Sequence, residues 1–168
     1  MNAKQTPTPD TSNRELIIAR VLDAPRALVF QAWIEAGHVV HWWGPRGFTT
    51  TIHEMDVRPE GVWRFSMHGP DGTEYPNRIA YEEVLRPERI VFSHGSDDPS
   101  DPEQFHVAIS FEELGNRTRL TMHSVFKTAA QLARVKSSGA VEGGISTLDR
   151  LAEYLPTMAG PPNRGGHE

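Results

Sequence analysis

Residues 48–126 read as short segments in which every second position is apolar, each closed by a turn signal, and a single long amphipathic segment follows them. Alternation with period 2 describes strands with one face buried. Consecutive strands joined by short turns pair with their neighbours as an antiparallel meander. Such a sheet must bury its apolar face against another layer. The candidate is residues 140–155, where Val141, Ile145, Leu148, Ala152 and Leu155 recur at helical spacing along one face. The pattern therefore predicts an α+β helix-grip fold, in which a curved antiparallel sheet of about seven strands wraps around a long C-terminal helix.

The segments are individually legible. Residues 62–68 set Trp63, Phe65 and Met67 against Arg64, Ser66 and His68. Gly69, Pro70, Asp71 and Gly72 then form a hairpin turn, proline supplying a fixed φ and glycine a positive one. Further strands are expected over 49–57, 73–85, 89–94, 103–113 and 117–126; Phe105, Val107, Ile109 and Phe111 alternate within 103–113. Ahead of the meander, residues 14–22 predict a first strand. Pro25 is suited to a first helical turn, and Leu28, Val29, Ala32 and Trp33 supply a one-sided stripe. Gly37 interrupts that helix, and a second short one carries residues 38–43 up to Gly44 and Pro45. A separate helix is expected over 128–136, broken from the long one near Gly139. Pro156 is expected to close the long helix. The reading is one domain over 14–155, flanked by disordered tails at 1–13 and 156–168.

Composition narrows the partners. Seventeen basic and 22 acidic residues give a net charge of −5, and Lys and Arg form no run, which argues against nucleic acid as a partner. The absence of cysteine excludes disulfides, thiolate metal sites and cysteine nucleophiles. No apolar run reaches the ~20 residues of a membrane span, and the first residues lack a secretory apolar core. A cytoplasmic protein is expected.

Several separated segments resemble one family in order: VLDAPRALVFQAW at 21–33, HWWGPRGF at 41–48, MDVRPEGVWRFSMHGPDG at 55–72, Tyr75 with Pro76, and RPERIVF at 86–92. The chain is similar to the START-like (Bet-v-type, SRPBCC) superfamily, and within it to the family named after the activator of the heat-shock-protein-90 ATPase. The resemblance implies the helix-grip fold. It leaves function open among ligand carriers, aromatase/cyclase (polyketide cyclase-like) enzymes and co-chaperone domains. Two departures stand out. Glu60 replaces the first of a usual glycine pair, and Ile145 stands where relatives often carry Trp, which would leave more room under the helix.

The candidate ligand-binding residues are Trp42, Trp43, Phe48, Trp63, Phe65, Met67, Asn77, Ile79, Tyr81, Phe92, His94, Val141, Ile145 and Leu148. Trp42 and Trp43 either wall a cavity mouth near Phe48 or anchor the short helices. Trp63, Phe65 and Met67 line the cavity if their face is concave. Asn77, Tyr81 and His94 would orient a ligand by hydrogen bonds. His94, in phase with Ile90 and Phe92, is also the one candidate for general acid–base chemistry. His68, His106 and His123 fall on the outer face, and no ligand-pair spacing marks a metal site. Gly143 and Gly144, costly in a helix, imply close approach of the sheet or of a bound molecule. The expected function is a binding module for a hydrophobic small molecule or lipid, with neither metal nor cofactor. An aromatase/cyclase enzyme and a chaperone ATPase regulator are the alternatives, and oligomeric state stays open, a homodimer included.

Overall fold

The computed structural model describes residues 11–159. A 3-10 turn, Ser12–Arg14, leads into β1 (Glu15–Leu22). Two helices follow, α1 (Arg26–Ile34) and α2 (Ala36–Val39), and then the meander: β2 (Thr49–Met55), β3 (Val62–His68), β4 (Glu74–Leu85), β5 (Arg89–Ser96), β6 (Phe105–Leu114) and β7 (Arg117–Val125). The chain closes with α3 (Ala129–Ser137) and α4 (Ala140–Ala159). The seven strands form one antiparallel sheet in the order β1-β7-β6-β5-β4-β3-β2, so β1 returns to pair with the last strand of the meander. This is the α+β helix-grip architecture that the periodicity predicts.

Local chemistry accounts for the connections. In the β3–β4 turn the amide of Gly69 donates to the carbonyl of Thr73, Gly72 takes a φ of 87°, and Asp71 Oδ1 accepts from the Thr73 amide at 3.0 Å. The ladder shifts register between Ile52 and Glu54 in β2 and between Tyr81 and Glu83 in β4. Such bulges bend a strand and increase its twist, which is how a flat ladder curls around a helix. Thr128 caps α3, its hydroxyl accepting from the Gln131 amide at 3.0 Å.

The core sits in two parts. Under α1 and α2 it is aromatic: Trp33, Trp42, Trp43, Trp63 and Phe65 make edge-to-face or stacked contacts, with Trp63 and Phe65 only 4.2 Å apart between centroids. Beneath α4 it is aliphatic, with Leu148, Leu151 and Leu155 buried against the sheet.

Three expectations are corrected. The break after α1 falls at Glu35, whose extended backbone separates the helices, and Gly37 lies inside α2. α2 ends at Val39, so Trp42 and Trp43 follow it in a turn whose amides both bond the Val39 carbonyl. Pro156 lies within α4, which runs on to Ala159. A proline removes one hydrogen bond from the ladder, and here Leu155 and Met158 still pack on the core on either side of it. Of the expected tails, residues 1–10 and 160–168 lie outside the described residues, while Ser12–Arg14 forms the 3-10 turn.

Candidate functional site

Alternation places Leu16 and Ile18 of β1, Phe92 and His94 of β5, Phe105 and Val107 of β6, and Met122 and Ser124 of β7 on the concave face. Opposite them α4 presents Ala140, Gly143, Gly144 and Thr147, all small. Small side chains facing large ones leave space, and a cavity of about 360 Å³ lies between the two layers. A Cβ added at Gly144 would come within 2.8 Å of Ile18 Cδ1, so the glycine permits a close approach of helix and sheet. At Gly143 the nearest atom is Pro45 Cγ, 3.8 Å away, and the space beyond belongs to the cavity. Trp43, Pro45 and Met67 close one end. The exposed wall residue is Ser138, with Gly139 half-buried beside it, so the opening lies at the α3–α4 turn.

The wall near Trp43 is held by Arg150. Its guanidinium donates to the carbonyls of Gly44 (2.8 Å), Trp43 (3.2 Å), Pro45 (3.2 Å) and Phe48 (3.3 Å), and to that of His41 at 3.1 Å. One side chain of α4 thus gathers the α2–β2 loop, in which the Pro45 carbonyl also accepts from the Phe48 amide and the Trp43 carbonyl from the Thr50 hydroxyl.

The titratable group in the described wall of the cavity is His94. The rings of Trp43, Phe65, Phe92 and Phe105 surround it, with centroids 5.3 to 6.5 Å away. Its solvent contact is with the cavity, within a wall of apolar groups. Burial therefore disfavours the imidazolium and pushes its pKa down to about 4. Nε2 lies 2.9 Å from Asn77 Oδ1, and the Asn77 amide is oriented by Nδ2, which donates to the Tyr75 carbonyl at 2.8 Å.

Of the sequence-predicted residues, Trp43, Met67, Phe92 and His94 meet at the cavity. Asn77 reaches it only through His94. Trp42 is fully buried beneath α1, its Nε1 donating to the Ala32 carbonyl. Trp63, Phe65, Ile79 and Tyr81 are buried in the aromatic core next to the cavity. Phe48 packs near Tyr75, away from the opening, so the mouth is not at Trp42, Trp43 and Phe48 as expected. On α4, Leu148 is core, Val141 is half-buried off the cavity, and Ile145 is 46% exposed. The helix is rotated from the expected setting, because Gly144 must face Ile18 and its neighbour Ile145 then turns outward. The Trp-to-Ile departure consequently leaves the cavity unchanged; the room comes from Gly143, Gly144 and Thr147.

Sequence reasoning missed the contribution of β1, β6 and β7. Phe105, Val107 and Met122 carried a usable signal in their alternation, but Leu16 and Ile18 sit in a run too uniformly apolar to show a face. His68 bonds Thr51, His106 and His123 pair with Glu82 and Glu15, and all three lie on the outer face. Among the described residues no group of three or more His, Asp or Glu is placed to hold a metal ion, and no helix is long and apolar enough to cross a membrane.

Solved structures share this fold. A protein from Arthrobacter aurescens superposes with a TM-score of 0.81 at 25% identity, over 96% of this chain and 95% of that one. Protein Ms6760 from Mycobacterium smegmatis gives 0.80 at 25% identity, over 90% and 96%. Protein NE0264 from Nitrosomonas europaea gives 0.79 at 24%, over 90% and 99%. A search of curated proteins finds no match. The family model described as activator of Hsp90 ATPase homolog 1-like protein matches residues 23–156, nearly the whole folded unit from the end of β1 into α4, and the chain belongs to that family.

Proposed function

We propose that this protein is a small-molecule binding module whose ligand, apolar or aromatic in its body, occupies the space between α4 and the concave sheet. One observation carries the reading. The cavity of about 360 Å³ is lined mainly by Leu, Ile, Val, Met and aromatic side chains, with the imidazole of His94 and a few hydroxyls set among them. That is the composition of small-molecule sites, which are mostly apolar with few convergent polar groups and span roughly 300–1,000 Å³. Trp43, Met67, Phe92 and His94 would touch the ligand directly, and Asn77 would act through His94. Trp63, Phe65, Ile79 and Tyr81 would support that wall from behind. Binding would draw on apolar burial, about 25 cal/mol per Å² before the cost of association.

The test is native mass spectrometry of purified protein for a co-purifying molecule, followed by thermal-shift screening of hydrophobic fluorophores and fatty acids. Gly143→Leu serves as the blocked control, since the new side chain projects into the cavity. The reading expects stabilisation of the parent protein and none of the control. Equal responses of parent and control would overturn it.

A further inference from the structure

We infer that the cavity selects an uncharged ligand whose apolar body carries a hydroxyl group, placed to donate to Nδ1 of His94. This rests on reading the cavity as a ligand site and states which ligands that site accepts.

The argument begins with Asn77. Its Nδ2 donates to the Tyr75 carbonyl at 2.8 Å, so the oxygen of the amide is the atom turned toward His94. An amide oxygen only accepts, and at 2.9 Å the Nε2 of His94 must therefore donate. A neutral imidazole with its proton on Nε2 carries a lone pair on Nδ1. Among the described residues Nδ1 has no hydrogen-bond partner.

The remaining polar groups of the wall point the same way. The hydroxyl of Thr147 donates to the Gly143 carbonyl at 2.9 Å, and that of Ser138 to the Val135 carbonyl at 2.7 Å, so both protons are engaged and lone pairs remain. The carbonyls of Trp43, Gly44 and Pro45 are already held by Arg150. Ser124 is the one wall hydroxyl whose proton has no acceptor among the described residues. The indole N–H of Trp43 and the Ser124 hydroxyl are then the donors of the wall, and its other polar atoms accept.

Among the described residues no Asp, Glu, Lys or Arg lines the cavity. A carboxylate entering it would meet no cation and no donor from His94, while an ammonium would meet no anion, and each would lose its hydration. A ketone or ether would leave Nδ1 unpaired. An alcohol or phenol satisfies it. Size adds a bound: an apolar cavity of about 150 Å³ holds one benzene ring, so 360 Å³ suits roughly two or three fused rings.

The experiment is isothermal titration of the full chain with three probes of one skeleton: 2-naphthol, 2-methoxynaphthalene and 2-naphthoate. The expected result is that naphthol binds about tenfold tighter than the methoxy compound, the effect of one hydrogen bond left unmade in a buried site. Naphthoate is expected to be the weakest. His94→Phe should bring naphthol to the level of the methoxy compound measured on the same variant. A two-bond proton–nitrogen spectrum of the unsubstituted protein gives a readout that does not depend on the variant folding. There the proton should sit on Nε2, and the Nδ1 signal should move with naphthol and stay with the methoxy compound. Equal affinity for naphthol and methoxynaphthalene, tighter binding of naphthoate, or a proton on Nδ1 in the free protein would each overturn the inference while leaving a binding cavity intact. Failure of all three probes to bind would remove the ligand-site reading, and this inference with it.

Discussion

Nε2 of His94 on β5 lies 2.9 Å from Oδ1 of Asn77 on β4, although the two are not opposite each other in the ladder. Ile79 faces His94 and Ser96 faces Asn77, so the bond is a diagonal across the concave face. It holds the ring in one tautomer inside an aromatic wall.

The first expected consequence is a pH dependence of stability. In the unfolded chain the imidazole takes its proton near 6.5, and in the fold burial pushes this down to about 4. Between those values the unfolded state binds more protons, so stability falls as the pH drops. The contribution is complete above pH 6.5 and about 3 kcal/mol of it is lost by pH 4. Urea unfolding at a series of pH values measures it, and His94→Phe should remove that part of the slope.

Glu60 has a φ of 70°, in the left-handed region that favours glycine. Its amide donates to the Tyr81 carbonyl, which fixes the conformation. Glu60→Gly is expected to stabilise the protein by about 0.5–1 kcal/mol in urea titration, the left-handed strain less the added entropy of glycine. At Gly61 the opposite holds. A Cβ there would stand 2.0 Å from the Asp56 carbonyl oxygen, a backbone atom that cannot swing aside. Gly61→Ala should cost roughly 3 kcal/mol or more.

Arg150→Met would remove the guanidinium that the carbonyls of His41, Gly44 and Phe48 accept from, while those of Trp43 and Pro45 keep Thr50 and the Phe48 amide. A loss of about 2–3 kcal/mol is expected from unmade bonds to a charged group. Arg150→Lys should recover only part, because an ammonium is a point charge and cannot spread over carbonyls from His41 to Phe48. Denaturation midpoints of the two variants decide this.

Two adjacent stretches of α4 should respond oppositely. Gly143→Leu removes a helical glycine, worth up to about 1 kcal/mol, with Pro45 Cγ the nearest atom at 3.8 Å, and it fills the cavity. Probe binding should then fall by roughly tenfold or more, a loss above about 1.4 kcal/mol. Ile145→Trp places at this site the residue that the family resemblance leads one to expect, yet at an exposed position it should change stability by less than about 0.5 kcal/mol and leave binding unaltered. Calorimetry of both variants separates the two faces of the helix.

Much of this was legible from residue order. Period-2 alternation in β3, β5, β6 and β7, the turn at Gly69 to Gly72, and the return to helical spacing after Lys127 are local properties, set by where side chains point along a strand or a helix. They determine the elements and their order, and short turns then leave little choice of topology. The inward phase of His94 followed in the same way, since it shares a face with Ile90 and Phe92.

What tertiary structure decided is where the empty space lies. Trp63 and Phe65 share the concave face with Met67, but Trp43 fills the ground above them, so they are core and Met67 is wall. The rotation of α4 was open to more than one setting, because Val141, Ile145 and Leu148 form as plausible a stripe as Leu148, Leu151 and Leu155. The contact of Gly144 with Ile18, joining residues 126 positions apart, selects one of them and turns Ile145 outward. Periodicity reports which residues prefer burial; a cavity is set by side chains that stop short of each other, and only the assembled layers determine that distance.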